Sequence, residues 1–204
     1  MKRNKFQLKG LYGITYPYPG IPTLKSIEIM IKKGAKIIQL REKHVSDREY
    51  LKLARKALKI CKKHGVQLVI NDRVGVALIL DLPIHVGKDD LDVKEIKGIN
   101  KKAIVGYSIA NFDDLETESA KYADYYGVGP IFYSPLKPSK NYFGLKGLKK
   151  LKKMVKKPVV VIGGFNENNI DIVLKLNPDA VGIMFYKFLT MPHLIEKINK
   201  FYGV

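Results

Sequence analysis

KIIQLREKHVSDREYLKLARKALKICKKHGVQLVIND (36–72) is the stretch that decides the fold. Its ends, KIIQLR (36–41) and VQLVI (66–70), are short, β-branched apolar runs of strand length. Between them SDREYLKLARKALKICKKHG opens on Ser46, carries Glu49 three residues later and stops at Gly65, which predicts a capped helix. Two strands joined by one helix must run parallel, because the crossover returns the chain to the edge where it began.

The same unit recurs outward in both directions. Strands are expected at 11–15 (LYGIT), 83–86 (PIHV), 103–107 (AIVGY), 124–128 (DYYGV), 158–162 (PVVVI) and 180–184 (AVGIM), making eight with the two above. Helical patterns fill the intervals: TLKSIEIMIKKG ending on Gly34, NFDDLETESAKYA with Asn111 as its cap, NENNIDIVLKLN and MPHLIEKINKFYG. RVGVALIL after Asp72 and the segment 91–98 carry weaker helical patterns. Eight units in 204 residues predict an α/β chain folded as one (β/α)8 TIM barrel domain over 1–204. A doubly wound open sheet is the rival, and no GxGxxG follows the first strand to support a dinucleotide-binding form of it.

Composition narrows the function classes. The chain is 46% hydrophobic, as a globular domain requires. Its single cysteine, Cys61, allows neither an internal disulfide nor a multi-cysteine zinc site. The basic start MKRNKFQLKG lacks the apolar stretch of a signal peptide, and no run approaches the roughly 18 apolar residues of a membrane span, so a cytoplasmic protein with no membrane partner is expected. The net charge of +18 comes from lysines spread over predicted outer helix faces, as in GLKGLKKLKKMVKK. No zinc-finger or RNA-recognition signature accompanies them, so nucleic acid is not the expected partner. A basic field would instead draw in small phosphorylated substrates. Assembly into a homo-oligomer is left open.

Polar residues gather where the strands end. Arg41, Glu42 and Lys43 follow KIIQL; Asn71, Asp72 and Arg73 follow VQLVI; Asp89 and Asp90 follow PIHVG; Ser108 follows AIVGY; Gly163 and Gly164 follow VVVI. In a parallel barrel these ends share one rim. Within QLREK (39–43), Gln39 and Arg41 alternate with Leu40, which puts the polar pair inside and Leu40 toward the helices. Arg41 offers a planar donor fork and Lys43 a compact cation, both suited to phosphate oxygens. Asp72 and Asp90 could share a hard cation such as magnesium, or could simply cap the helices after them. His85 reads as a packed strand histidine and is given no chemistry.

At these motifs the chain resembles the thiamine-phosphate synthases and their tautomerase-like relatives. QLREK, IND (70–72), GKDD (87–90), GYS (106–108), GVGPIF (127–132) followed by Lys137, and IGGF (162–165) stand in that family's order and spacing over nearly the whole chain. The resemblance implies a transferase of thiamine biosynthesis that joins a hydroxymethylpyrimidine diphosphate to a thiazole phosphate and releases pyrophosphate. It also implies a substrate site of Gln39, Leu40, Arg41, Glu42, Lys43, Asn71, Ser108, Ser134, Pro135, Leu136, Lys137, Gly164, Met184 and Phe185. Within it Arg41, Lys43, Ser108 and Lys137 would act on the diphosphate, Gly164 would offer an amide to the thiazole phosphate, and Asp72 and Asp90 would hold Mg2+.

Two positions depart from the family. Where it has two threonines flanking one residue before the lysine, this chain has Ser134, Pro135 and Leu136. Losing that second hydroxyl would cost about 1.5–3 kcal/mol if it bonds a charged group. Where the family has a small serine after the last strand, the chain has Phe185. These departures keep two other readings in view: a thiazole tautomerase-like enzyme, and a paralogue that binds the precursors without joining them. The tautomerase relatives carry a histidine two residues past the serine, and here that residue is Ala110.

Overall fold

The computed structural model describes residues 6–134 and 142–204. Eight strands form a closed barrel in chain order: β1 Gly10–Ile14, β2 Ile37–Leu40, β3 Gln67–Asn71, β4 Ile84–Val86, β5 Val105–Ile109, β6 Tyr125–Val128, β7 Val159–Ile162 and β8 Ala180–Met184. Every neighbouring pair is parallel, and β1 closes on β8 from Gly10 opposite Ala180 to Ile14 opposite Met184. The (β/α)8 expectation holds, and the open sheet is excluded.

The helices are α1 Thr23–Lys32, α2 Asp47–Lys63, α3 Val74–Leu80, α4 Val93–Ile99, α5 Glu118–Tyr122, α6 Gly144–Met154, α7 Ile170–Leu174, α8 Phe185–Thr190 and α9 Pro192–Tyr202. α2 starts as predicted: the Ser46 hydroxyl accepts from the Glu49 N–H while the Glu49 carboxylate accepts from the Ser46 N–H. Ser46→Ala is expected to cost about 1 kcal/mol and to lower the melting temperature by about 2–4 °C, read by thermal unfolding. Gly34 follows α1 at φ +95°, and a Cβ there would lie 2.6 Å from the Asn199 amide, so close docking of α9 adds to the demand for glycine.

Two helical expectations change. The segment 111–123 breaks into a 3-10 turn, Asp113–Glu116, and then α5, because Thr117 adopts an extended conformation and caps α5 itself. Asn111 is not at the cap position of the turn, which is Phe112, but its side-chain oxygen accepts from the Asp114 N–H at 3.1 Å. NENNIDIVLKLN yields only the short α7, since Asn166 and Asn169 side chains bind the backbone amides that a longer helix would use.

Burial divides the apolar residues into two clusters. The larger joins helix residues such as Ile27, Met30, Tyr50 and Leu148 to the outward strand positions, Ile38, Leu40, Leu68 and Ile70 among them. The smaller draws on strand residues, Tyr12, Ile14, Ile37, Val69, Tyr125, Val160 and Ala180, with Leu8 below, and fills the barrel interior. The lysines of α6 lie outside while Leu148 and Leu151 are buried, so its charge is a solvated face. Among the described residues no helix is long and apolar enough to cross a membrane.

Candidate active site

The carboxyl ends of all eight strands open on one face, and the polar residues following them meet there. On one side the backbone of Arg41 is pinned at the end of β2: its N–H donates to the Thr15 hydroxyl at 2.8 Å, and that hydroxyl donates to the Arg41 carbonyl at 3.2 Å. Thr15 is fully buried, so the root of the Arg41 side chain is fixed. Glu42 accepts from the Thr23 hydroxyl at 2.7 Å and ties this loop to the start of α1. Arg73 holds the loop from the other side, donating to Asp47 at 2.6 Å and to the Val45 carbonyl at 3.0 Å.

Lys43 then reaches Asp72, with Nζ 3.9 Å from a carboxylate oxygen. Asp72 sits at φ +61°, a left-handed conformation that Asp tolerates better than most residues. It is not a helix cap: the residue before α3 is Arg73 and that before α4 is Asp92, neither bonding the helix through its side chain. Instead the carboxyl groups of Asp72 and Asp90 come within hydrogen-bonding reach of each other. Burial first, and the neighbouring charge of Asp90 second, push the Asp72 carboxyl up to about 6, with Lys43 and Asn71 opposing.

Two carboxylates this close repel unless they share a proton or a cation. A hard divalent ion between them would relieve that repulsion. No third His, Cys, Asp or Glu joins the pair among the described residues, so water and substrate oxygens would complete the coordination.

Ser108, at the end of β5, faces the same spot. A Cβ on Gly87 would lie 3.5 Å from an Asp90 carboxylate oxygen and 4.0 Å from the Ser108 hydroxyl, so both polar groups border that glycine. The Gly87 N–H donates to Asp90 at 2.7 Å. Behind Ser108 stands His85, its Nε2 3.0 Å from the hydroxyl oxygen.

Across the rim, β7 and the loop after β6 press together. Ile131 donates to the Ile162 carbonyl at 3.0 Å and Phe132 to that of Gly163 at 3.2 Å. Gly163 and Gly164 take φ of +103° and +72°, and a Cβ on Gly164 would stand 2.5 Å from the Tyr133 carbonyl oxygen. Ser134, Gly164 and Met184 line one small cleft at this junction. Bare backbone at a strand-to-helix turn is suited to approach by a phosphate.

The sequence model of the thiamine monophosphate synthase family matches residues 11–184. The chain belongs to this family. It is 37% identical over 184 residues to a thiamine-phosphate synthase of Caldanaerobacter subterraneus subsp. tengcongensis, covering 89% of this chain and 86% of that one. A thiamine-phosphate synthase of Alkaliphilus oremlandii is 39% identical over 188 residues, covering 90% of each chain. Among solved structures, a thiamine phosphate pyrophosphorylase from Pyrococcus furiosus superimposes with a TM-score of 0.84 at 28% identity, covering 95% of this chain and 96% of that one.

Within the residues expected from the thiamine monophosphate synthase pattern, the structure brings Lys43, Asp72, Asp90 and Ser108 toward one spot and Ser134, Gly164 and Met184 to another. Arg41 and Asn71 end neighbouring strands beside the first. Gln39 lies just below the rim, almost buried, its amide donating to the Tyr12 hydroxyl at 3.0 Å.

Two of the expected residues lie out of reach of solvent. Leu40 is fully buried among the helices. Phe185 is also fully buried, at the start of α8, with the Tyr18 ring edge-on at 6.0 Å. Its bulk fills the space between barrel and helices and does not block the cleft. Pro135, Leu136 and Lys137 lie outside the described residues. Thr15 supports the rim with no sequence motif marking it, and Arg73 and His85, although visible at strand ends in the sequence, show their supporting role only in their distances to the 41–46 loop and Ser108.

Proposed function

We propose that this chain is a thiamine-phosphate synthase, condensing 4-amino-5-hydroxymethyl-2-methylpyrimidine diphosphate with a thiazole phosphate to give thiamine phosphate and pyrophosphate, or with its carboxylate form to give the same products and carbon dioxide. The observation that carries this reading is the close Asp72–Asp90 pair set beside Lys43 and Ser108, in a chain of this family. Asp72 and Asp90 would hold Mg2+, which neutralises charge on the diphosphate when bound. Arg41, Lys43, Ser108 and Lys137 would bind the diphosphate oxygens and stabilise them as the carbon–oxygen bond breaks. Gln39 and Asn71 would orient the pyrimidine.

The electron pair of the broken bond leaves with pyrophosphate, and the electron-rich aminopyrimidine ring stabilises the methylene cation. The thiazole nitrogen then donates its lone pair to that carbon, forming the new carbon–nitrogen bond. No protein nucleophile is required. The acceptor's phosphate would rest against the Gly164 backbone and Ser134, with Met184 on the cleft wall. Substrates of this kind fit a cytoplasmic enzyme.

The tautomerase reading is not favoured, because the position two residues beyond Ser108 holds Ala110, which cannot move a proton. An omission experiment tests the proposal: thiamine phosphate formation should require the pyrimidine diphosphate, the thiazole phosphate and magnesium together. Its formation with any one left out would contradict it. Lys137→Ala should lower turnover about tenfold or more, whereas Lys149→Ala, on the exposed face of α6, should leave it nearly unchanged. Equal losses would mean that both lysines act only through the general field.

A further inference from the structure

His85 lies inside the barrel, on β4, in a slot made for its ring. In the strand register His85 stands opposite Gly106 of β5, and Gly106 opposite Tyr125 of β6. A Cβ on Gly106 would fall 2.6 Å from His85 Nδ1 and 2.1 Å from the Tyr125 ring, and one on Gly127 would fall 2.6 Å from His85 Cε1. The two glycines therefore clear the space through which the imidazole spans from Tyr125 to Ser108. Its Nδ1 lies 3.3 Å from the Tyr125 hydroxyl and its Nε2 3.0 Å from the Ser108 hydroxyl.

The file continues away from the site. Tyr125 neighbours Tyr12, and the Gln39 amide nitrogen donates to the Tyr12 hydroxyl. Tyr12 and Tyr125 are each about 1% exposed, so their hydroxyl hydrogens need partners within this file.

That requirement selects a direction. Among the described residues the hydrogen bond made by the Tyr125 hydroxyl is to His85 Nδ1, and a neutral ring nitrogen without hydrogen only accepts. Tyr125 then donates to His85 Nδ1, and the neutral ring carries its hydrogen on Nε2 and donates to Ser108. The reverse order would take from the buried Tyr125 hydrogen its acceptor at Nδ1, a cost a buried hydroxyl does not bear lightly. In the favoured order the Ser108 oxygen is already an acceptor from His85, and its own hydrogen is free to point toward the rim.

We propose that His85 is a positioning residue that holds the Ser108 hydroxyl as a hydrogen-bond donor to the diphosphate group of the pyrimidine substrate. This rests on the placement of the diphosphate beside Ser108 in the proposed function.

The test measures binding of inorganic pyrophosphate with magnesium by calorimetry to the wild type, His85→Gln, His85→Asn, Ser108→Ala and the His85→Asn/Ser108→Ala double variant. Glutamine can place its amide nitrogen near the position of Nε2 and still donate to Ser108; asparagine reaches Tyr125 but falls short of Ser108. Ser108→Ala and His85→Asn should each weaken binding about tenfold or more. His85→Gln should stay close to wild type, and the double variant should bind no more weakly than Ser108→Ala alone. Equal losses for Gln and Asn, or losses that multiply in the double variant, would overturn the assignment. If the wild type itself fails to bind pyrophosphate, the diphosphate site is misplaced and the inference falls with it. Normal wild-type binding with an unaffected His85→Asn would overturn the inference alone.

Discussion

Asp72→Asn and Asp90→Asn are each expected to lower turnover about 100-fold while leaving the folded state as stable as before or slightly more so. The opposite signs follow from the geometry. The two carboxyls lie within hydrogen-bonding reach and, without a cation, repel each other; burial and that repulsion together raise the Asp72 carboxyl to about 6. Removing one charge relieves the free protein but would take away half of the protein ligands proposed for the cation. Asparagine is the suitable replacement at Asp72, since it tolerates the φ of +61° there. Turnover at limiting and saturating magnesium, paired with thermal unfolding, measures both signs. Wild-type turnover at limiting magnesium in either variant would refute the metal assignment.

Gly164→Ala should damage the opposite side of the rim. The residue sits at φ +72°, and the added methyl would stand 2.5 Å from the Tyr133 carbonyl oxygen and 2.6 Å from Phe132. Backbone cannot yield as a flexible side chain would, so the loop after β6 must move away from β7. The strain is worth about 1–3 kcal/mol, which lowers the melting temperature by several degrees. The displaced amides belong to the proposed phosphate cleft, so KM for the thiazole phosphate should rise more than tenfold while KM for the pyrimidine diphosphate changes little. Steady-state kinetics with each substrate varied in turn checks this. Equal rises in both constants would place the thiazole phosphate elsewhere.

The barrel was legible because its signals are local and repeated. Each strand is a short apolar run closed by a turn or a cap, and the Ser46–Glu49 box and Gly34 mark helix ends through chemistry that needs no distant partner. The segment 111–123 is the reverse case. Its periodic apolar residues suggest one helix, but Thr117 takes an extended conformation and Asp114 captures the Ala110 and Asn111 amides. Local side-chain bonds outcompeted the helix.

The candidate site was legible where a residue's role follows from its position at a strand end. Lys43, Asp72, Asp90 and Ser108 belong to that class. Leu40 and Phe185 lie within or beside recognisable motifs, and both side chains are buried. The orientation of Phe185 depends on packing between β8, α8 and Tyr18, which no local pattern encodes. His85 was passed over because its partners, Tyr125 and Ser108, come from other strands, and the glycines that admit its ring gain meaning only in register.

The most direct measurement is the mass of the product formed when the purified protein receives the pyrimidine diphosphate, the thiazole phosphate and magnesium. The account predicts thiamine phosphate, formed one for one with pyrophosphate and absent when magnesium is chelated. Pyrimidine diphosphate bound at the rim with no coupled product under any metal condition would contradict it.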